Sequence, residues 1–150
     1  MLNRRGFVAH MGGLFLIAQF PLRWTEKTPI TVYKSSTCGC CAKWVDYLRA
    51  NNFNPTVHDR EDMDALKDQL GVPKEVRSCH TAEAGGYLIE GHVPASDIRR
   101  LLAKRPKVVG LAVPGMLATT PGMAEPGATP GGYDVVAFRK EGATGLFARH

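Results

Sequence analysis

Three cysteines within four residues, Cys38-Gly39-Cys40-Cys41, stand between a β-branched run and a helical one, and this junction constrains the fold more than any other segment. Upstream, Thr28 to Ser36 (TPITVYKSS) is β-branched and aromatic with rough alternation, which predicts a strand handing over through the turn Ser36-Thr37-Cys38-Gly39. Downstream, Cys41, Trp44, Val45 and Leu48 fall at helical spacing, and Asn51-Asn52 ends the run. Cys38 and Cys41 form a Cys-x-x-Cys pair at the start of this helix, the spacing of a thioredoxin-like redox motif.

The rest of the chain extends that pattern. Asn54 to Arg60 (NPTVHDR) reads as a second strand, and Asp62 to Leu70 as a second helix with Asp62 at its N-cap, closed by Gly71 and Pro73. Gly85-Gly86 precedes a short strand at Tyr87-Leu88-Ile89. Pro94 to Arg105 gives a third helix with Ile98, Leu101 and Leu102 on one face. Residues 133 to 140 (YDVVAFRK) and 144 to 149 (TGLFAR) read as two further strands joined by Glu141-Gly142-Ala143. The order β-α-β-α-β-α predicts an α/β, thioredoxin-like three-layer fold with a central mixed sheet and extra C-terminal strands. Between the third helix and those strands, 110–132 is rich in Gly, Pro, Ala and Thr and reads as a flexible loop, long enough to suggest a function.

With 150 residues and 44% hydrophobic composition the chain has the size and apolar content of one domain. We expect residues 1–25 to form an export leader or N-terminal anchor and 26–150 a metal-binding domain. Arg4-Arg5 precedes an apolar stretch from Phe7 to Phe20, interrupted by His10, Gly12, Gly13 and Gln19, that is shorter than a membrane helix. Asn3-Arg4-Arg5-Gly6-Phe7 resembles a twin-arginine signal. A periplasmic location is expected, with membrane contact only through an uncleaved leader. The formal charge of +5 is concentrated there: from Trp24 onward 16 basic residues face 14 acidic ones, leaving +2. That balance argues against a nucleic-acid surface, and Arg99-Arg100 with Lys104, Arg105 and Lys107 reads as a solvated helix face.

Four cysteines in an exported chain would ordinarily make two disulfides. The spacing points elsewhere. A dithiol oxidoreductase needs a nucleophilic and a resolving cysteine, here Cys38 and Cys41, and Cys40 is superfluous to it. Unpaired N–H groups and the dipole at a helix N-terminus favour thiolates, which serve disulfide exchange and metal ligation alike. Monovalent copper is a soft ion for which adjacent thiolates are an asset, since one sulfur bridges two ions. Cys79, in Arg77-Ser78-Cys79-His80-Thr81, is the fourth sulfur. Thioredoxin folds present the loop before this part of the sheet to the Cys-x-x-Cys terminus, usually with a proline, and none stands between Pro73 and Pro94. Burial as a small residue, or a disulfide with Cys40, is the alternative for Cys79. His80 is a further candidate ligand, although in an extended segment adjacency would turn one of Cys79 and His80 away. His92 could reach the same rim, or be merely solvated; His58 and His150 read as surface residues. Met116 and Met123, each ending a Pro-Gly-Met triplet, are thioethers able to close over copper. No phosphate loop, Ser-His-Asp arrangement or paired-carboxylate site stands out.

The segments YKSSTCGCCAKWVDYL, GVPKEVRSCHTAEAGGYLIEGHVPASDI and GLAVPGM with a second PGM together resemble the CopG-like periplasmic copper-resistance proteins, from about Thr28 to His150. The resemblance implies a thioredoxin-like fold and a multinuclear, cysteine-bridged Cu(I) cluster on the positions of Cys38, Cys40, Cys41 and Cys79. It also implies a role in copper resistance, with interconversion of Cu(I) and Cu(II) as the accompanying activity and other periplasmic copper-resistance proteins as partners. Leu117-Ala118-Thr119-Thr120 departs from the usual Pro-led segment after the first PGM.

Overall fold

The first strand, β1 (Thr28–Lys34), runs into α1 (Gly39–Ala50), which returns the chain to lay β2 (Phe53–Asp59) parallel to β1. This is the β-α-β unit that the sequence pattern requires, and Cys38 stands at the N-cap of its helix. The computed structural model describes residues 26–150; the leader expected over 1–25 lies outside the described residues. After α2 (Met63–Leu70) and a single 3-10 turn at Lys74–Val76 come β3 (Thr81–Ala84), β4 (Tyr87–Glu90), α3 (Ala95–Lys104), β5 (Gly110–Ala112), β6 (Asp134–Arg139) and β7 (Gly142–Arg149). Asp62 holds the N-cap position of α2 as expected, but its carboxylate accepts from the Arg60 guanidinium instead of capping the helix.

The strands form one mixed sheet in the order β2-β1-β3-β4-β5-β6-β7. The first four make the thioredoxin-like unit, with β1 and β2 parallel, β3 antiparallel to β1 and β4 antiparallel to β3. The last three extend the sheet, joined through the parallel β4–β5 pair.

Two strands differ from the sequence expectation. β3 was hidden because TAEA carries small and polar residues without apolar alternation, so the helix–strand order becomes β-α-β-α-β-β-α. Its link to β4 is the two-residue turn Gly85-Gly86, with φ of 55° and 88°. Positive φ at both central residues is the hairpin geometry that glycine accepts most readily. β5 takes the first three residues of the segment expected to be loop from 110, leaving a connection from Val113 to Tyr133.

Alternation along the strands sorts side chains to two faces. On one face Val32, Ala82, Ile89, Leu111 and Val135 pack with Trp44, Val45 and Leu48 of α1 and Ile98 and Leu101 of α3. On the other, Leu88, Ala112 and Phe138 meet Val72, Val76 and Leu70 at the end of α2. Sheet between helices on both sides is the three-layer arrangement expected. Among the described residues no helix is long and apolar enough to cross a membrane.

Candidate metal centre

The thiols converge because a helix start and a strand start are brought edge to edge. With Cys38 at the N-cap of α1, Cys40 and Cys41 fall in its first turn. Cys79 lies just before β3, the strand that pairs with β1. The sulfurs of Cys38, Cys40, Cys41 and Cys79 all lie within 4.8 Å of one another. A thiolate–metal bond near 2.3 Å, the zinc value, lets two sulfurs on one ion stand up to about 4.6 Å apart, so small shifts suffice for a shared ion. Cys38 and Cys41 are joined as a disulfide, while Cys40 and Cys79 are free, with Cys40 Sγ 3.5 Å from Cys38 Sγ.

The β3–β4 hairpin adds nitrogen to this sulfur group. Thr81 pairs with Glu90, so the same register carried outward sets His80 against Gly91, whose N–H donates to the His80 carbonyl at 3.0 Å, and Cys79 against His92. Cys79 Sγ stands 3.3 Å from His80 Nδ1 and 3.3 Å from His92 Nε2, and the three side chains form a second group with metal-ligand spacing. Adjacency therefore does not turn His80 away from Cys79, because the segment is not extended until Thr81. Nor is His92 a solvated strand-end residue: both rings are buried. Gly85-Gly86 between TAEA and YLIE is the hairpin signal from which this convergence follows.

His92 Nδ1 lies 2.7 Å from the Pro121 carbonyl oxygen. A carbonyl only accepts, so Nδ1 carries the proton and Nε2 presents its lone pair to Cys79, the outer-shell arrangement typical of a ligating histidine. His80 packs against Trp44, ring centroids 4.3 Å apart, and its Nε2 is buried with no hydrogen-bond partner among the described residues. Trp44 is fixed in turn by its indole N–H on the Val93 carbonyl.

The 113–133 connection passes over this group. Pro121 and Thr120 are buried, and Gly122, at φ 83°, lies so close to α1 that a Cβ there would sit 2.7 Å from the Trp44 amide nitrogen. Ser78 Oγ donates to the Gly115 carbonyl. Of the two thioethers, Met116 is 64% exposed and Met123 half-buried. His58 is exposed and stacks on Tyr33, while His150 bonds Asp97 and stacks on Tyr133; neither joins the metal group.

Burial pushes the Cys79 thiol up to about 11, with the neighbouring Cys40 adding to the shift and the Ser78 hydroxyl opposing it. Burial likewise holds His80 well below the ordinary histidine range, helped by His92 and Lys67. His92 is lowered by burial, against the opposing bond to Pro121. Both imidazoles are therefore neutral in the metal-free protein. Below about pH 6.5 the unfolded chain takes up protons on these histidines more readily than the folded chain does, so stability falls as the pH falls, by at most about 1.4 kcal/mol per unit for each. Urea titrations of the metal-free protein at pH 7 and pH 5 should show the midpoint moving down; a midpoint that stays put would contradict two neutral buried rings.

A family model described as a protein of unknown function, DUF411, matches residues 76–123, the stretch that carries Cys79, His80, His92 and both Pro-Gly-Met triplets. Two solved structures are similar over most of the chain, "Copper resistance protein copG- Form 2" and "Copper resistance protein copG- Form 1". Each is 42% identical and covers 83% of this chain, which spans 99% and 98% of theirs, with TM-scores of 0.75 and 0.74. No curated protein sequence matches significantly.

Proposed function

This chain belongs to the family of the copper resistance protein CopG, and on that premise we propose that it serves copper resistance in the periplasm by holding several Cu(I) ions in a thiolate pocket. Convergence of four sulfurs within 4.8 Å, one of them also touching two neutral imidazoles, carries this reading. Cys38, Cys40, Cys41 and Cys79 are the proposed bridging ligands, His80 and His92 nitrogen ligands on the Cys79 side, and Met116 and Met123 outer thioether ligands. Soft sulfur favours the cuprous ion, whereas a Cys-His-His set suits copper that alternates between its two oxidation states. Copper ions are the cargo, and other periplasmic copper-resistance proteins are the proposed donors and acceptors.

The Cys38–Cys41 bond gives the redox half of the proposal its balance. Two cuprous ions each surrender one electron to the disulfide, the S–S bond breaks, and two thiolates and two cupric ions result. In reverse, two cupric ions oxidise the two thiolates, re-forming the bond and leaving two cuprous ions.

Anaerobic reduction followed by Cu(I) titration tests the reading. We expect more than one tightly held copper per chain. We also expect a proton expelled from Cys79 on loading, since its thiol is protonated at neutral pH when metal-free. Binding of less than one copper by fully reduced protein would overturn it.

The disulfide itself favours one rival, a thiol–disulfide oxidoreductase that attacks with Cys38 and resolves with Cys41. Insulin reduction that survives both Cys40→Ser and Cys79→Ser would decide for that rival.

A further inference from the structure

On the opposite face of β3 and β4 from Trp44 lies a polar group that the copper reading does not use. Lys67 reaches in from α2 and Glu90 from the end of β4, their side chains 3% and 0% exposed. Lys67 Nζ donates to Glu90 Oε1 and, at 2.8 Å, to Thr81 Oγ1; Thr81 Oγ1 donates to Glu90 Oε2 at 2.6 Å. The backbone N–H of Ser78 completes the set, donating to Glu90 Oε1 at 2.7 Å.

A buried ion pair is a poor device for stability alone, because desolvating two charges offsets most of their attraction and well-packed apolar side chains commonly do as well or better. What this one does is local. Glu90 grips the chain at Ser78 with one carboxylate oxygen and at Thr81 with the other, and the residues between those grips are Cys79 and His80. From the remaining direction the Gly91 N–H holds the His80 carbonyl. The Ser78–Thr81 segment is not part of β3 until Thr81, so the strand ladder does not fix Cys79. The carboxylate does, itself held by the hydrogen bond from Lys67 Nζ.

We propose that Lys67, Glu90 and Thr81 are positioning residues for the metal centre, clamping the segment Ser78–Thr81 at both ends so that the Cys79 sulfur is held across from Cys40. The inference deepens the copper reading and rests on it for the word metal, but the placement of the two sulfurs is measurable without copper.

The test uses the full chain with Cys38→Ser and Cys41→Ser, leaving Cys40 and Cys79 as the only thiols, and phenylarsine oxide, whose trivalent arsenic bonds two neighbouring thiolates at once. Bonding of arsenic to both sulfurs displaces its oxygen as water, with the two thiol protons supplying the hydrogen. This protein should take up one arsenical per chain. Adding Lys67→Met with Glu90→Leu, which removes both charges and keeps apolar bulk, should weaken uptake at least tenfold, the scale of outer-shell losses at metal sites, while the thermal melt stays cooperative. If the double variant does not fold, Thr81→Val and Thr81→Ser read the same clamp. The first removes the hydroxyl and should weaken uptake, and the second retains it and should restore uptake. Unchanged arsenical affinity in folded Lys67→Met/Glu90→Leu protein, or in Thr81→Val, would overturn the proposal, as would failure of the parent to bind at all. Arsenical binding that follows the clamp in a chain that takes no copper would instead leave the positioning role standing and remove the copper reading.

Discussion

Cys79→Ser is expected to reduce the copper content of the anaerobically loaded protein from several ions to at most one, and to weaken the retained ion about 100-fold or more. Cys38, Cys40 and Cys41 come from one helix start, whereas Cys79 arrives from another element and closes the fourth side of the group. It is also the sulfur that meets both imidazoles, so its loss separates the nitrogen donors from the thiolates. A four-ligand structural zinc site is worth about 10–16 kcal/mol, or about 2.5–4 kcal/mol per ligand; a soft-ion cluster that loses one of its proposed bridging sulfurs should suffer on that scale. Competition against a cuprous chelator, with metal analysis of the eluted protein, measures both quantities. Retention of wild-type stoichiometry in Cys79→Ser would mean that the three clustered thiols suffice.

Lys67→Met alone is expected to destabilise the metal-free protein by about 3–5 kcal/mol, and addition of Glu90→Leu to recover most of that loss. The single substitution strands the Glu90 carboxylate where it is fully buried, and breaking a buried pair by removing one partner carries this penalty. Burial already raises the Glu90 carboxyl above the ordinary range, with Lys67, Thr81 and Ser78 all pulling it back down. Removing the ammonium removes the first of those opposing influences. Against a total domain stability of about 5–15 kcal/mol the single variant is severely weakened. Denaturant titration of the single and double variants measures the coupling; equal destabilisation by both would show that the two side chains act independently.

The part of the fold that was legible in the sequence is the part that obeys a period. β1, α1, β2, α2 and α3 carry apolar residues at strand or helix spacing, and their bounds agree with expectation to within about two residues, as boundary fraying allows. The motif's position between β1 and α1 followed from the same reasoning, whereas the meeting of Cys79 with it followed from the thioredoxin-like order, which turns the loop before the later strands toward the helix start. β3 and β5 were not legible. Thr81-Ala82-Glu83-Ala84 has no apolar face to count, and Gly110-Leu111-Ala112 is three residues long; both strands exist because neighbours on each side supply their hydrogen bonds. The clamp was hidden for a different reason. Lys67 stands on a helix and Glu90 at the end of a strand, and nothing in a linear sequence announces that residues 23 apart share a hydrogen bond inside the molecule. His80 and His92 lay between these cases: their convergence is encoded by Gly85-Gly86, but only once that pair is read as a hairpin turn.

The bond from His92 to Pro121 couples the overlying chain to the state of the centre beneath it. When a cation draws electron density from one nitrogen of the ring, the proton on the other becomes more acidic and its hold on the proline carbonyl tightens. With His92 in the proposed ligand set, loading of the centre would therefore strengthen the tie between the 113–133 connection and the residues beneath it.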